Sequence, residues 1–239
     1  MLEWIVDVFT NMHWAAVGQI IMIDVLLGGD NAVVIALACR NLPHEQRFKG
    51  VFWGTAGAIA LRVILITFAV MLLNLPFLKL VGGALLLWIG YKLVLPDDDD
   101  AEEVEGNTKL LGAIKTIIIA DLIMSIDNVI AIAGAAQQAH EAHQTMLVIF
   151  GLLVSVPFIV CGSQVILKFL DRFPVIVYLG GALLGWIAGG LFVSDGFMTG
   201  QFPGIEAWHT PVSLACAVLV LVAGILTRRC MTKKAVSEK

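Results

Sequence analysis

The sequence predicts an all-α integral membrane protein of seven transmembrane helices, arranged as two inverted three-helix repeats with one further helix toward the C-terminus. Three observations carry that expectation. The chain of 239 residues is 59% hydrophobic and only 14% charged, a balance foreign to soluble domains. Seven apolar stretches are long enough to cross about 30 Å of hydrocarbon at about 1.5 Å per residue. The first half of the chain is also repeated in the second.

The spans fall at roughly 14–39, 50–73, 76–95, 112–137, 145–168, 174–193 and 211–227, which leaves no room for a separate soluble domain. The first is expected to stay in the mature chain, because no Lys or Arg precedes it and no small-residue cleavage site follows. Cys39, Cys161, Cys216 and Cys230 have no metal-type spacing and read as small buried residues.

Orientation follows from the basic residues. Arg40, Arg47, Lys49, Lys92, Lys109, Lys115, Lys168, Arg172, Arg228, Arg229, Lys233, Lys234 and Lys239 fall on one side, thirteen of the fifteen Lys and Arg. Lys79 stands alone on the other side and Arg62 lies inside the second span. Basic connections stay in the cytoplasm, so the N-terminus is expected outside and the C-terminus inside a plasma membrane.

At a shift of 97 residues, IDVLLGGDNAVVIA (Ile23 to Ala36) superimposes on ADLIMSIDNVIAIA (Ala120 to Ala133), and Gly54 falls on Gly151. At a shift of 98, GGALLLWI from Gly82 matches GGALLGWI from Gly180. The spans therefore form one three-span unit used twice. An odd number of spans per unit makes the second copy enter from the opposite side, the inverted plan common among secondary transporters. The organisation expected is a first repeat over 1–95, an acidic cytoplasmic linker over 96–111, a second repeat over 112–193, and a seventh helix with a basic tail over 194–239.

The repeated segment holds the chemistry. Asp24 and Asp30 in the first copy, and Asp121 and Asp127 in the second, lie in the spans, each pair followed by Asn31 or Asn128. An ionised carboxylate at the bilayer centre costs about 2.5–3.5 kcal/mol even on the lenient insertion scale, so four would cost roughly 10–14. Something must compensate them, and Arg62, too deep to snorkel easily, is one candidate partner.

On an unbroken helix Asp24 and Asn31 share a face while Asp30 lies about 120° away. Gly28-Gly29 is where such a helix opens most readily; an opening would turn Asp30 inward and free main-chain carbonyls, tolerated only facing a cavity or ion. Ser125-Ile126 stand at the equivalent place, so any break in the fourth span is expected to be milder. The donor set is all oxygen and suits a hard divalent ion such as Mn²⁺, Mg²⁺ or Ca²⁺. One divalent ion offsets two carboxylates, and protons replacing it on release would give metal/proton exchange. The ion is substrate rather than prosthetic group, no cofactor is expected, and the partners implied are divalent cations, protons and the lipid bilayer, with no nucleic acid.

Two copies of Asp-x5-Asp-Asn, as IDVLLGGDN and ADLIMSIDN, within a seven-span pattern closely resemble the TerC family of integral membrane proteins. The resemblance covers almost the whole chain. It implies metal-ion export, of Mn²⁺ in the first place, with Asp24, Asp30, Asn31, Asp121, Asp127 and Asn128 as the ion path, and an older association with tellurium resistance. Three rivals stand beside this reading. An intramembrane aspartyl protease is disfavoured, because Leu27 replaces the first glycine of Gly-x-Gly-Asp; no enzyme chemistry is expected. An exporter of another cationic substrate and a membrane scaffold are the others.

Overall fold

The computed structural model describes residues 14–68, 75, 77–95, 106–136, 141–173 and 175–237. Every regular element among them is helical: α1 (Trp14–Leu27), α2 (Gly29–Cys39), α3 (His44–Thr67), α4 (Leu78–Val94), α5 (Gly106–Ala136), α6 (Glu141–Arg172), α7 (Val175–Val193), the short α8 (Gly196–Gln201), a 3-10 turn (Ile205–Trp208), and α9 (His209–Ser237). In hydrocarbon a helix satisfies its own backbone polar groups, which is why so apolar a chain takes this form.

Four segments among the described residues, within α3, α6 and α7 and from Ile205 into α9, are long and apolar enough to cross a bilayer. The bent pair Val17–Leu26 and Gly29–Cys39 makes a fifth. Large apolar side chains such as Leu214, Val218, Leu219 and Leu226 cover the outside of α9, as expected where the solvent is lipid. The protein is a multi-pass membrane protein.

Two details go beyond the sequence expectation. The stretch 106–111, assigned to the linker, forms the first turns of α5; it carries no proline, so the helix extends past the apolar run. Between α7 and α9 the chain holds α8 and the 3-10 turn. Asp97 to Glu105, the acidic part of the linker, lies outside the described residues.

The buried Asp195 organises that connection. One carboxylate oxygen caps α8 by accepting the N–H of Phe197 at 2.9 Å, and the other accepts the N–H of Lys79 at 3.1 Å and of Leu80 at 3.3 Å in the first turn of α4. Orphan amides at two helix starts are thus satisfied by one side chain. At the other end of α2, Arg47 donates to the carbonyls of Arg40 and Leu42 and pairs with Asp171 at 2.6 Å.

Contacts between helices are reciprocal in the register of the sequence repeat. Gly54 on α3 packs against Ile117 on α5, and Gly151 on α6 packs against Ile20 on α1; both partners of one pair differ from those of the other by 97 residues. Gly83 on α4 meets Ala188 and Phe192 on α7, while Gly181 on α7 meets Gly90 and Val94 on α4, a shift of 98 throughout. Such exchange is the pattern a two-fold axis produces. The missing side chains let the backbones approach closely, the usual device of helix packing in membranes.

A backbone-to-backbone approach joins α7 and α9. A Cβ at Gly185 would stand 2.7 Å from the carbonyl oxygen of Cys216 and 2.8 Å from the Cα of Ala217, neither of which can swing away. Gly185→Ala is expected to cost about 1–3 kcal/mol and to lower the melting temperature of detergent-purified protein by several degrees. Gly112→Ala, where nothing lies within 4 Å, should leave it unchanged.

Candidate functional site

The first span is broken where the paired glycines stand. α1 ends at Leu27, Gly28 is a turn residue, and α2 restarts at Gly29 with its axis turned by 50°. α2 has 11 residues, so it rises about 16 Å, half of a bilayer's hydrocarbon core, and its N-terminus lies near mid-depth. Asp30 occupies the first turn of α2, where the positive end of the helix dipole favours a carboxylate. It accepts the N–H of Asn31 at 2.9 Å.

The two glycines are not equivalent. A Cβ at Gly28 would run into the carbonyl oxygen of Asp24, whereas one at Gly29 meets nothing within 4 Å. Gly28 is therefore the residue the break requires, and Gly29 adds mainly helix-breaking tendency.

Arg62 on α3 is the centre of the polar interior. It is 1% exposed, and all three guanidinium nitrogens are engaged. Nη1 donates to Asp24 Oδ1, Nη2 to Asp121 Oδ1 at 2.6 Å, and Nε to Ser125 Oγ at 3.0 Å. Ser125 in turn donates to the second oxygen of Asp121 at 2.9 Å. Ser155 on α6 donates to the second oxygen of Asp24. Planar, always-charged guanidinium is suited to bridging two carboxylates, and a buried pair is tolerable only when its remaining lone pairs are also satisfied.

The structure therefore brings Asp24 and Asp121, the matched acids of the two copies, onto one cation. Asn31 beside Asp30 is 3% exposed, and both its amide oxygen and its amide nitrogen lack a hydrogen-bond partner among the described residues. Asn128 is buried on α5. Asp127 lies on the same helix, and its side chain falls outside the described residues. Among the described residues no three His, Cys, Asp or Glu side chains form a ready metal cage.

The sequence repeat maps one half of this arrangement onto an apolar other half. Arg62 corresponds to Ile159, and Ser125 to Gly28; where Arg62 touches Ser125, the space at Gly28 faces Ile159 Cδ1 at 3.7 Å. Ser155 corresponds to Ala58, so Asp24 receives a hydroxyl from α6 that Asp121 does not receive from α3. Sequence reasoning missed Ser155. Its signal was a single hydroxyl in the apolar run LLVSVPF, two residues before Pro157.

The chain is thus a helical membrane protein with a hydrogen-bonded charged cluster buried among its helices. The family model described as "Integral membrane protein TerC family" matches residues 9–236, and the chain belongs to that family. It is 46% identical over 176 residues to the uncharacterized membrane protein YjbE of Bacillus subtilis (strain 168), covering 74% of this chain and 78% of that one. It is 24% identical to YceF of the same organism, over 76% of this chain and 72% of the relative. It is 26% identical to the inner membrane protein YgdQ of Escherichia coli (strain K12), over 77% and 81% respectively. No solved structure matches.

Because only Gly28 is sterically committed, Gly28→Ala is expected to straighten or displace the α1–α2 junction and abolish the protein's activity, with a stability loss of about 1–3 kcal/mol. Gly29→Ala should retain both. Metal content of expressing cells and thermal melts of the two purified variants check this.

Proposed function

We propose that the protein is a seven-span exporter of a divalent metal ion, Mn²⁺ in the first place, working through a mid-membrane site at the α1–α2 break. Two inverted three-helix copies, a seventh helix, an outer N-terminus and a cytoplasmic C-terminus complete the reading. The reciprocal packing of α3 with α5 and of α1 with α6, and the sidedness of the basic residues, support that architecture.

The observation that carries the function is the buried amide of Asn31 next to Asp30, without a partner among the described residues. A buried polar group without a partner costs about 1–3 kcal/mol, and a cation that accepts the amide oxygen as ligand would relieve part of it. Asp24, Asp30, Asp121 and Asp127 carry four negative charges and Arg62 one positive, a sum of minus three that one divalent cation and one proton would balance. Oxygen donors of this kind suit Mn²⁺, Mg²⁺ and Ca²⁺; the choice of Mn²⁺, the outward direction, and Asp127 and Asn128 as further ligands come from family resemblance.

In cells loaded with external Mn²⁺, the wild-type protein is expected to lower cellular Mn several-fold, leaving Mg, Ca and Zn nearly unchanged. Asp30→Asn, Asn31→Ala and Asp127→Asn should each abolish the effect, since every one removes a ligand. No change in any metal with wild type would sink the proposal. Unaltered metal content with impaired assembly in Asp30→Asn would point to a scaffold instead.

Protons are proposed as the exchanged ion, because acidic groups vacated by the metal must be neutralised in a low-dielectric interior. In proteoliposomes at zero membrane potential, acidifying the compartment that receives the metal should speed Mn²⁺ flux several-fold. A flux indifferent to the gradient would remove the proton from the mechanism.

A further inference from the structure

Arg62 stands in a position that ordinary packing does not require. One guanidinium serves two acids, Asp24 and Asp121, that occupy the same place in the two copies of the repeat. Its own counterpart is the apolar Ile159. A single cation lies where the two copies meet, on α3, holding α1 to α5.

We propose that Arg62 is a tethered cation that substitutes for the transported ion in the empty carrier, an inference that rests on the metal-export reading above. With the site empty, the guanidinium bridges Asp24 and Asp121 and offsets one of their two charges, leaving the remainder to protons. An arriving divalent ion at Asp30 and Asn31 competes with it for carboxylate oxygen of Asp121, while Ser125 retains Nε. No proton is needed for this step, because the guanidinium keeps its charge throughout.

The consequence lies in the return of the empty carrier. A mid-membrane site carrying uncompensated carboxylates resists any rearrangement that keeps it away from water. Arg62 lowers that barrier alongside the exchanged protons and so favours net export, whereas exchange of one metal ion for another never passes through the empty form. Removing the guanidinium should therefore separate two activities that a purely structural residue would affect together.

The test uses purified full-length protein in proteoliposomes at about pH 8, where carboxylates of ordinary affinity are ionised. Mn²⁺/Mn²⁺ exchange and net Mn²⁺ flux into metal-free buffer are measured side by side. Wild type should do both. Arg62→Gln should keep exchange within about threefold and lose net flux by at least about tenfold, since leaving buried charge unpaired is expensive. Arg62→Lys keeps the charge but reaches one carboxylate at a time; it should keep exchange and lose net flux several-fold, and it decides the matter if Arg62→Gln aggregates. Parallel loss of both rates in monodisperse protein, or no loss of net flux, overturns the inference. Wild type inert in both modes would instead defeat the metal-export reading itself.

Discussion

A guanidinium buried between two carboxylates in an interior bounded by lipid constrains what surrounds it. Each charge alone would be costly at that depth, and the three together are acceptable only because two hydroxyls complete their hydrogen bonding. Ser155 holds the second oxygen of Asp24, and Ser125 holds both Arg62 and Asp121. The donors come from α3, α5 and α6 and the acceptors from α1 and α5, so the cluster fixes four helices relative to one another. Packing of α1, α3, α5 and α6 cannot change freely without breaking it.

The close approach that this network needs is supplied by absent side chains. Gly54 against Ile117 and Gly151 against Ile20 bring α3 to α5 and α6 to α1, with Ile20 four residues from Asp24 and Ile117 four residues from Asp121. Small-residue contacts give way more readily than large interdigitated ones, and the same pairs can separate by small amounts without leaving large voids. On the far side, Gly185 and Gly189 seat α9 against α7 backbone to backbone. A charged side chain joins the same two helices at Arg228 of α9, which donates to the hydroxyl of Tyr178 on α7.

Asymmetry within the repeat gives the site its sense. The first copy contributes the sharp break, because only glycine fits beside the Asp24 carbonyl at Gly28; the second has Ser125 there and runs unbroken through α5. The first copy also contributes the cation, and the second the hydroxyl that orients it. Two nearly equivalent halves thus meet in a cluster that is not equivalent, with Asp30 and Asn31 at a helix start on one side and Asp121 held by Arg62 on the other.

Much of this was legible in the chain. Composition made the protein helical and membrane-embedded, because a backbone in hydrocarbon has few alternatives. The 97-residue register identified the paired acids and the glycines where a helix would open, since hydropathy and local backbone preference are properties of short stretches. Tertiary structure decided which acids are neutralised. Arg62 finds Asp24 and Asp121 across 38 and 59 residues of sequence, and Ser155 reaches Asp24 across 131. No periodicity encodes such pairings. They arise from how the helices pack, and only that packing separates the acids held by arginine from the aspartate and asparagine beside the break.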